Sequence, residues 1–425
     1  MTGKQINPRI IFYILSLRYN PTCQGVLKGT KNNIMLAPLA VKDFVEDGNL
    51  SFDFCVKKLR ELIEYSLAGL TDLVVGIGLS GGTDSSLIVS LLSKMAGIKI
   101  KSYCVGFGEE DNEFNDARIV ADLVGTDHKE ILVDDLMKDF PLLVWQYGEP
   151  KRNLWPYYLL KRMKDDDCDI VIGGQGGDEL FGGYRHRYEV MFKLPNRTNY
   201  KSRAKSYLST HARDWVPDQM NIFGKEFKKK YKKLCRWDTV LSLFYPYFKS
   251  KLPIEGQVFL TDYNFKLRYD FYQNEMRWAE ILGIKTGAPF LNDKVRSFAT
   301  HIPYRFKYND GNAKIVSRKI LKDLGLPSSI VNKRKYGFGI NPVYVWSVLK
   351  DRCKDFLKSP AIVDDGWINQ EWIDSAQEKI VRYLASEKDA EASPYINKLW
   401  DLLAFEIFYQ QRIVKRHPSS TINGW

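Results

Sequence analysis

The sequence predicts an α/β fold, in which a parallel sheet covered by helices precedes a mostly helical C-terminal lobe. Short apolar runs alternate with amphipathic runs between residues 53 and 190, as expected when parallel strands are joined by crossover helices. Two of these apolar runs end in glycine-rich turns, at 80–82 and 173–177. From Tyr188 onward the chain is rich in aromatic and basic residues with helical spacing. The 425 residues allow two or three domains with a sizeable core.

The individual elements follow from periodicity and turn residues. The apolar run 10–17 is predicted as a buried strand, and the spacing of apolar residues over 52–68 predicts a helix. Core strands are predicted at 73–77, 100–105, 129–133 and 169–172, with helices between them at 84–96, 114–124, 136–147 and 156–164. Lobe helices are predicted at 271–281, 315–324 and 395–411.

Composition limits the classes of function. No apolar run approaches the ~18–20 residues of a membrane span, so no membrane partner is expected. The six cysteines are scattered without a Cys-x-x-Cys pair, which favours a reducing cytoplasm over a disulfide framework or a zinc site. Part of the net charge of +12 lies in the lysine-rich segment 225–233. A solvated helix face is the favoured interpretation of that segment, and contact with nucleic acid is the alternative.

The most informative stretch is the first glycine-rich turn, Ser80-Gly81-Gly82-Thr83-Asp84-Ser85-Ser86, between a predicted strand and a predicted helix. Glycines bring bare N–H groups close to a ligand, and a helix N-terminus attracts anions, so this turn suits a phosphate. A carboxylate at Asp84 makes sense there mainly if Mg²⁺ lies between it and the phosphate. No Lys follows the glycines, which excludes the Gly-Lys-Ser/Thr nucleotide loop. The pattern instead resembles the pyrophosphate loop of ATP pyrophosphatases; the alternative is a turn without a ligand.

The second glycine-rich turn follows the strand predicted at 169–172. Six glycines among residues 173–184 are costly in chain entropy, and the close approach of a ligand would justify them. Asp178 and Glu179 supply negative charge just beyond the turn; the alternative is that they only cap the next helix. Both turns should meet at the carboxyl edge of the sheet, and Glu149 joins them if the chain turns back at Pro150.

A third loop carries cations. Lys333, Arg334 and Lys335 precede a phenylalanine flanked by glycines at 337 and 339. Cations on such a loop could neutralise charge that develops on phosphates, although a solvated basic turn is the alternative for this stretch alone.

Together, the three loops at 80–86, 174–184 and 326–342 resemble the synthetase domain of class B asparagine synthetases, a family related to β-lactam synthetases and lasso-peptide cyclases. The resemblance covers about residues 55–345. It implies an adenine nucleotide α-hydrolase-like (PP-loop) core over 53–190 and a mostly helical lobe over 191–425 that completes the synthetase site. Residues 1–52 resemble the linker that follows the family's glutaminase domain.

The resemblance also implies roles for individual residues. It implies catalytic roles for Lys335, Asp178 and Lys314, with Lys335 stabilising charge on the adenylate. It implies Mg²⁺ ligands at Asp84 and Asp178, with Glu149 as the rival of Asp178. The residues that it implies in ATP binding are Leu79, Ser80, Gly81, Gly82, Asp84, Ser85, Ser86, Val105, Gly174 and Gly176.

The activity implied is that of an ATP-dependent synthetase with ATP and Mg²⁺ as cofactors. Such an enzyme activates a carboxylate, aspartate first of all, as an acyl-adenylate, transfers ammonia or another amine to it, and releases AMP and pyrophosphate. Thr2 stands where the family's glutaminase domain has its cysteine nucleophile, and only 79 residues precede the first loop. The chain is therefore expected not to hydrolyse glutamine. It would use free ammonia, another amine, or a separate glutaminase subunit.

The acceptor side departs from the family pattern. Gln175 replaces a usual Asp or Glu, Met276 replaces a common Asp, and the segments 151–153 and 284–289 also differ, whereas Arg277 is retained. The gain of Lys151 and Arg152 suggests a more acidic carboxylate than aspartate. The alternatives are a specialised ligase or cyclase for a metabolite, sugar or peptide, a tRNA-modifying enzyme with the same loop, and an inactive binding protein.

Overall fold

The computed structural model describes residues 5–108, 113–211, 213–333 and 340–415. Thr2, Arg334 and Lys335 lie outside these residues. Within them, a five-stranded parallel sheet has the order β3-β2-β1-β4-β5. Its strands are β1 (Val74–Gly78), β2 (Lys99–Phe107), β3 (Asp127–Val133), β4 (Ile170–Ile172) and β5 (Lys285–Gly287). A hairpin of β6 (Tyr308–Asn309) and β7 (Asn312–Ala313) lies apart from the sheet.

The helices that precede or cross over the sheet come first along the chain. They are α1 (Pro8–Leu17), α2 (Phe52–Leu67), α3 (Thr83–Leu92), α4 (Glu113–Val124), α5 (Phe140–Tyr147), α6 (Pro156–Asp165) and α7 (Gly177–Phe181). The four core strands and four crossover helices predicted from the sequence are confirmed, each within a few residues. The largest differences are in the helix predicted at 84–96, which ends at Leu92, and in the helix predicted at 136–147, which begins at Phe140.

The rest of the chain is mostly helical, as predicted. Its helices are α8 (Arg185–Met191), α9 (Tyr200–Ser209), α10 (Lys225–Lys230), α11 (Trp237–Leu241), α12 (Tyr245–Phe248), α13 (Ile254–Asp262), α14 (Tyr272–Leu282), α15 (Asp293–His301), α16 (Tyr304–Lys307), α17 (Ile315–Asp323), α18 (Ser328–Val331), α19 (Pro342–Phe356), α20 (Ala361–Asp364), α21 (Gln370–Ala385) and α22 (Asp389–Tyr409). A π-helical segment, Tyr263–Phe271, joins α13 to α14.

The strand predicted at 10–17 is wrong, because this segment is the helix α1. Asn7 caps it by accepting a hydrogen bond from the Arg9 N–H at 3.1 Å, and Pro8 occupies the first turn, where its missing N–H costs nothing. Residues 10–17 are all buried, so the segment lacks the polar face from which helical periodicity is recognised. The helix lies deep in the fold: Lys398 of α22 donates to the Leu15 carbonyl at 2.6 Å.

The fifth strand comes from the part of the chain assigned to the helical lobe. Ile170 of β4 pairs with Lys285 and Ile172 pairs with Gly287, in parallel register. Three polar or small residues give no strand periodicity, so β5 was missed. The domain boundaries that the sequence predicts near residues 52 and 190 stay a prediction.

Apolar clusters cover both faces of the sheet. One joins α1, α5, α6, α14 and α22, and the other joins α2, α3, α4, α15 and α17. This two-sided cover leaves the carboxyl edge of the strands as the accessible side of the sheet. Among the described residues, no helix has both the length and the apolar character needed to cross a membrane.

Candidate active site

The first glycine-rich turn lies between β1 and α3, as predicted. The Leu79 N–H donates to the Tyr103 carbonyl at 2.7 Å, which fixes the start of the turn against β2. Gly81 has a φ of +66°, and a Cβ on it would lie 2.5 Å from Asp116 Cβ, so only glycine fits. Gly82 then caps α3 with extended backbone, and the N–H groups of the first turn point out of the helix.

The hydroxyl groups of this turn serve different purposes. Ser80 Oγ accepts the Gly82 N–H at 3.4 Å, and Ser85 Oγ accepts the Ser80 N–H at 3.4 Å, so both hydroxyls line the turn itself. Ser86 is fully buried, and its hydroxyl has no hydrogen-bond partner among the described residues. Val105, also a predicted ATP contact, is buried on β2 two residues beyond Tyr103.

The second glycine-rich turn packs directly against the first. A Cβ on Gly177 would lie 2.4 Å from Asp84 Cγ, and a Cβ on Gly174 would lie 3.1 Å from Asp84 Cβ. Gly176 has a φ of +91°, which favours glycine at the cap of the short helix α7. Asp84 therefore occupies the space that the glycines of the neighbouring turn leave open.

A buried lysine joins the two turns. Lys314 Nζ lies 2.5 Å from Asp84 Oδ2 and 2.5 Å from Asp178 Oδ1. The side chains of the three residues are 4%, 13% and 11% exposed, respectively. Lys314 has left-handed backbone, with a φ of 55°, and caps α17. This unusual conformation for a lysine places its ammonium group at the carboxyl edge of the sheet.

This cluster has the donor chemistry that Mg²⁺ requires. Magnesium binds hard oxygen ligands and is commonly held by one or two carboxylates together with substrate phosphates and water. Asp84 and Asp178 already share one positive charge, that of Lys314, so they converge on a cation. Over the described ranges, no group of three or more His, Cys, Asp and Glu side chains could hold a metal. The ligand set that the described residues offer to Mg²⁺ is thus two carboxylates, which phosphates and water would complete.

Glu149 lies in a different part of the site. Its Oε1 is 3.6 Å from Arg277 Nη1, and the Arg277 guanidinium also covers the Tyr147 ring at 4.9 Å. These residues line a polar surface cleft, together with Tyr19 and Lys151. Glu149 pairs with Arg277 and not with the Asp84 cluster among the described residues, so its role as a metal ligand stays a prediction.

Glu275 is a site residue that sequence reasoning missed. Gln175 Nε2 donates to Glu275 Oε2 at 2.6 Å, and a Cβ on Gly173 would lie 2.7 Å from Glu275 Oε1. Burial raises the pKa of Glu275, and the hydrogen bond from Gln175 opposes that rise. The Glu275 carboxyl group therefore lies beside Gln175 at the end of β4, so an acidic group is present there although residue 175 itself is neutral. The position of Glu275, two residues before Arg277, was the available signal.

Glu179 has an unusual ionisation. It is buried, and the Tyr184 hydroxyl donates to its Oε1 at 2.6 Å. Burial first, and the charge of Asp178 second, raise the pKa of Glu179 to about 7.

The two cations at 151 and 152 are neutralised inside the protein. Lys151 Nζ lies 2.5 Å from Asp270 Oδ1. Arg152 pairs with Asp214 and, at 2.6 Å, with Asp401. The positive charge that the sequence adds next to Glu149 is thus balanced by aspartates from distant segments, which periodicity does not reveal.

The cationic loop reaches the first turn. Lys333 Nζ donates to the Ser80 carbonyl at 3.2 Å and lies 2.6 Å from Asp116 Oδ2. Lys335, the predicted catalytic cation, lies two residues further, outside the described residues.

The lysine-rich segment 225–233 lies on the surface. Most of its lysines are exposed, whereas Phe227 is buried beneath them. Within the described part of the chain, these lysines form no ion pair, which fits a solvated basic face.

Comparison with known proteins places this geometry in a family. The family model described as asparagine synthase matches residues 58–410. Asparagine synthetase (glutamine-hydrolyzing) 1 of Bacillus subtilis (strain 168) is 25% identical over 397 residues, which cover 86% of this chain and 61% of that protein. Asparagine synthetase (glutamine-hydrolyzing) 1 of Arabidopsis thaliana is 27% identical over 280 residues, covering 58% of this chain and 46% of that protein.

The chain thus spans about three fifths of the length of the Bacillus relative. Among solved structures, NMN synthetase from Francisella tularensis is similar at 21% identity with a TM-score of 0.23, over 32% of this chain and 59% of that one. The family match runs from α2 to the end of α22 and includes both glycine-rich turns and Lys314. The chain belongs to the asparagine synthase family.

Proposed function

We propose that this protein is an ATP-dependent amide-forming synthetase. It activates a carboxylate as an acyl-adenylate, transfers ammonia or another amine to it, and releases AMP and pyrophosphate. The observation that carries the proposal is the cluster in which Lys314 joins Asp84 and Asp178 beside a phosphate-binding type of turn. Membership of the asparagine synthase family supports the use of ATP by this chain.

The residues of the first turn would bind the nucleotide. The N–H groups at the N-terminus of α3 and the hydroxyls of Ser80 and Ser85 suit the phosphates. Asp84 and Asp178 would hold Mg²⁺, with Glu149 as the rival for the second place. When bound, the metal neutralises charge on the phosphates and makes the α-phosphoryl group more electrophilic. Lys314 and Lys333 supply further positive charge, and Lys335 is the proposed catalytic cation beyond them.

Activation solves a chemical problem. A carboxylate is a poor acceptor for an amine because its oxygen is a poor leaving group. Attack of the carboxylate on the α-phosphate gives an acyl-adenylate with AMP as its leaving group. Negative charge gathers on the phosphates in that step, and fixed cations that are already in place stabilise it without reorganisation.

The polar cleft beside Glu149 is the proposed acceptor site. Arg277 is 30% exposed there and can pair with a carboxylate of the substrate, while Glu149 and Glu275 can receive protons from an ammonium group or an attacking amine. L-aspartate is the first acceptor to test. A cytoplasmic location, the inability to hydrolyse glutamine and a separate glutaminase subunit are further parts of the proposal.

The test is the nucleotide product profile with Mg-ATP, aspartate and ammonium, with Asp84→Asn as the inactive control. AMP and pyrophosphate that depend on aspartate would support an ammonia-using asparagine synthetase. The same products with another carboxylate from a panel, and not with aspartate, would keep the mechanism and change the acceptor. ADP, or no cleavage with any carboxylate, would overturn the proposal.

A further inference from the structure

The positive charge of the chain is concentrated in one segment. Residues 193–251 contain eleven lysines and four arginines but only four acidic residues, a surplus of eleven positive charges. The whole chain has a net charge of +12, so the rest of it is nearly neutral. Thirteen of the fifteen cations in this segment are exposed. We call the exposed part of residues 193–251 the basic surface.

The acidic residues of this segment do not neutralise the basic surface. Asp214 and Asp218 pair with cations that lie outside residues 193–251. Of the fifteen cations, only Lys201 forms an ion pair among the described residues, with Asp238 at 2.8 Å. Solubility alone is served by charges of both signs spread over a surface, whereas charge of one sign in one place repels itself and attracts a polyanion.

Contacts between short helices make the basic surface continuous. The Thr239 hydroxyl of α11 donates to the Lys233 carbonyl at 3.2 Å, which joins α11 to the loop that follows α10. The ion pair of Lys201 joins α9 to α11. The rings of Tyr200 and Tyr245 meet edge to face with their centroids 4.9 Å apart, which joins α9 to α12. The cations of these elements therefore lie on adjoining parts of one surface.

Aromatic rings lie among these cations. Tyr245 is 48% exposed at the start of α12, and Tyr200 beside it is partly exposed. The Tyr231 ring lies next to the ammonium group of Lys230, with 5.6 Å between Nζ and the ring centre. Exposed rings among lysines give nucleic-acid bases a surface on which to stack, while the ammonium groups neutralise the phosphates.

The chemistry of the basic surface favours one kind of polyanion. Carboxylates of an acidic protein are bound best by the forked side chain of arginine, whereas eleven of the fifteen cations here are lysines, which bind phosphate as point charges. A helix that lies on a membrane needs an exposed apolar face, but Phe227 of α10 is buried inside the protein. Exposed rings favour unpaired bases, and thus a single strand over a duplex. In the cytoplasmic location that we propose, the abundant single strand is RNA.

We propose that the basic surface binds single-stranded RNA, whose phosphates lie against the lysines of residues 225–233 and whose bases stack on Tyr245. This binding goes beyond the proposed amide synthesis and does not depend on it. The residues that carry it are separate from those to which we assign the ATP site and the acceptor site.

The experiment measures binding of a fluorescein-labelled oligouridylate of about 20 nucleotides to the full chain by fluorescence anisotropy, over a range of salt concentrations. We expect a Kd of about 10⁻⁶ to 10⁻⁴ M at physiological salt, which is typical of sequence-independent binding. Binding should weaken as salt rises, because the release of counterions drives it. It should persist in saturating Mg-ATP. No turnover is needed, so failure of the proposed function would not hide the result.

A matched pair of variants locates the binding surface. One variant changes four exposed lysines of the basic surface to Gln, the other changes four exposed lysines elsewhere, and both remove the same charge from the chain. The first should bind RNA at least about 10-fold more weakly, with a salt slope smaller by about 2 to 3, since each lost phosphate contact contributes ~0.7. The control should bind within about 2-fold of the wild type, because distant charges are screened. The first set is Lys229→Gln, Lys230→Gln, Lys232→Gln and Lys233→Gln, and the control set is Lys57→Gln, Lys94→Gln, Lys99→Gln and Lys322→Gln.

A second pair of variants tests stacking. Tyr245→Ala should weaken binding at least about 5-fold and leave the salt slope unchanged, because a ring is lost but no charge. Tyr65→Ala on α2 is the control, since Tyr65 is 58% exposed and lies outside the basic surface. The control should bind RNA like the wild type.

Four results would overturn the proposal. The first is the absence of RNA binding to the wild-type chain at physiological salt. The second is equal weakening by the two lysine variants, which would make binding a matter of net charge alone. The third is unchanged binding by Tyr245→Ala, which would exclude stacking on this ring. The fourth is tighter binding of poly-L-glutamate or oligothymidylate than of oligouridylate, which would assign the surface to an acidic protein or to DNA.

Discussion

Lys314 Nζ lies 2.5 Å from Asp84 Oδ2 on the first glycine-rich turn, across 230 residues of sequence. The same ammonium group reaches Asp178 on the second turn at an equal distance of 2.5 Å. A single cation thus holds together the two loops that bracket the proposed ATP site. It also reduces the repulsion between these two largely buried carboxylates.

The first prediction concerns this cation. Lys314→Met should lower the free energy of unfolding by about 3–5 kcal/mol, because loss of one partner leaves buried charge uncompensated. Urea unfolding without nucleotide measures this effect separately from activity. The control is Lys319→Met on the same helix, since the exposed pair of Lys319 with Asp323 contributes at most about 1 kcal/mol. Equal stability of the two variants would show that Lys314 does not hold the loops.

The second prediction concerns glycine in the second turn. Gly177→Ala places a methyl group 2.4 Å from Asp84 Cγ, so Asp84 must move. Misplacement of a group by about 1 Å costs on the order of 10²-fold in rate, and we expect that loss in ATP cleavage. Gly69→Ala is the control because nothing lies within 4 Å of its new Cβ. Normal turnover of Gly177→Ala would separate the position of Asp84 from catalysis.

The third prediction concerns the cationic loop. Lys335→Ala should reduce kcat by at least about 10²-fold if this lysine stabilises charge that develops in the transition state. Lys322→Ala, at an exposed lysine of α17, provides the control for loss of a positive charge. Steady-state release of pyrophosphate measures both. Unchanged kcat would reduce Lys335 to a surface cation.

The fourth prediction concerns Lys307, a buried lysine that forms no ion pair with a carboxylate among the described residues. Lys307 is 1% exposed, and its Nζ lies 4.8 Å from the centre of the Phe44 ring and 5.3 Å from that of Phe259. Burial lowers the pKa of Lys307 to about 7. The unfolded chain then holds one proton more than the folded chain between about pH 7 and about pH 10.5, so stability rises with pH in this window.

Lys307→Met should remove this dependence. We expect the free energy of unfolding of the wild type to rise, relative to the variant, by up to about 1.4 kcal/mol per pH unit from pH 7.5 to 9.5. Denaturant unfolding at several pH values gives both slopes. Parallel slopes would mean that the rings keep Lys307 protonated throughout.

The fifth prediction concerns Glu179. Burial of its side chain raises the pKa of the carboxyl group to about 7. Between about pH 4.5 and pH 7, the folded chain binds one proton more than the unfolded chain. Protonation of Glu179 therefore stabilises the folded chain fully below about pH 4.5, and this stabilisation is lost as the pH rises through 7. Glu179→Gln keeps a neutral group that can still accept from Tyr184. The melting temperature of Glu179→Gln should therefore rise relative to that of the wild type between pH 5 and pH 8. The exposed Glu189, changed to Gln, should show no such trend, and neither should Glu179→Gln if the carboxylate ionises normally.

Local sequence patterns were enough to place most of the fold and both glycine-rich turns. The turns could be predicted because their glycines and carboxylates are contiguous in sequence and follow recognisable strands. Contacts between distant segments could not: nothing near Lys314 indicates that it will pair with Asp84, and nothing near Gln175 points to Glu275. The helix α1 was mistaken for a strand because it is buried on all sides, and β5 was missed because it is short and polar.

The origin of β5 has a consequence for how the polypeptide is made. Residues 285–287 cover the outer edge of β4 by pairing with residues 170–172, and they leave a strand of only three residues at the edge of the sheet. When β4 has just emerged from the ribosome, its outer edge is unpaired. That edge stays unpaired until residues 173–284 have been synthesised and β5 has followed. Exposed edges recruit foreign strands. A gene truncated near residue 190 would therefore encode a sheet with a permanently open edge, and we expect such a fragment to aggregate rather than to fold as a nucleotide-binding unit.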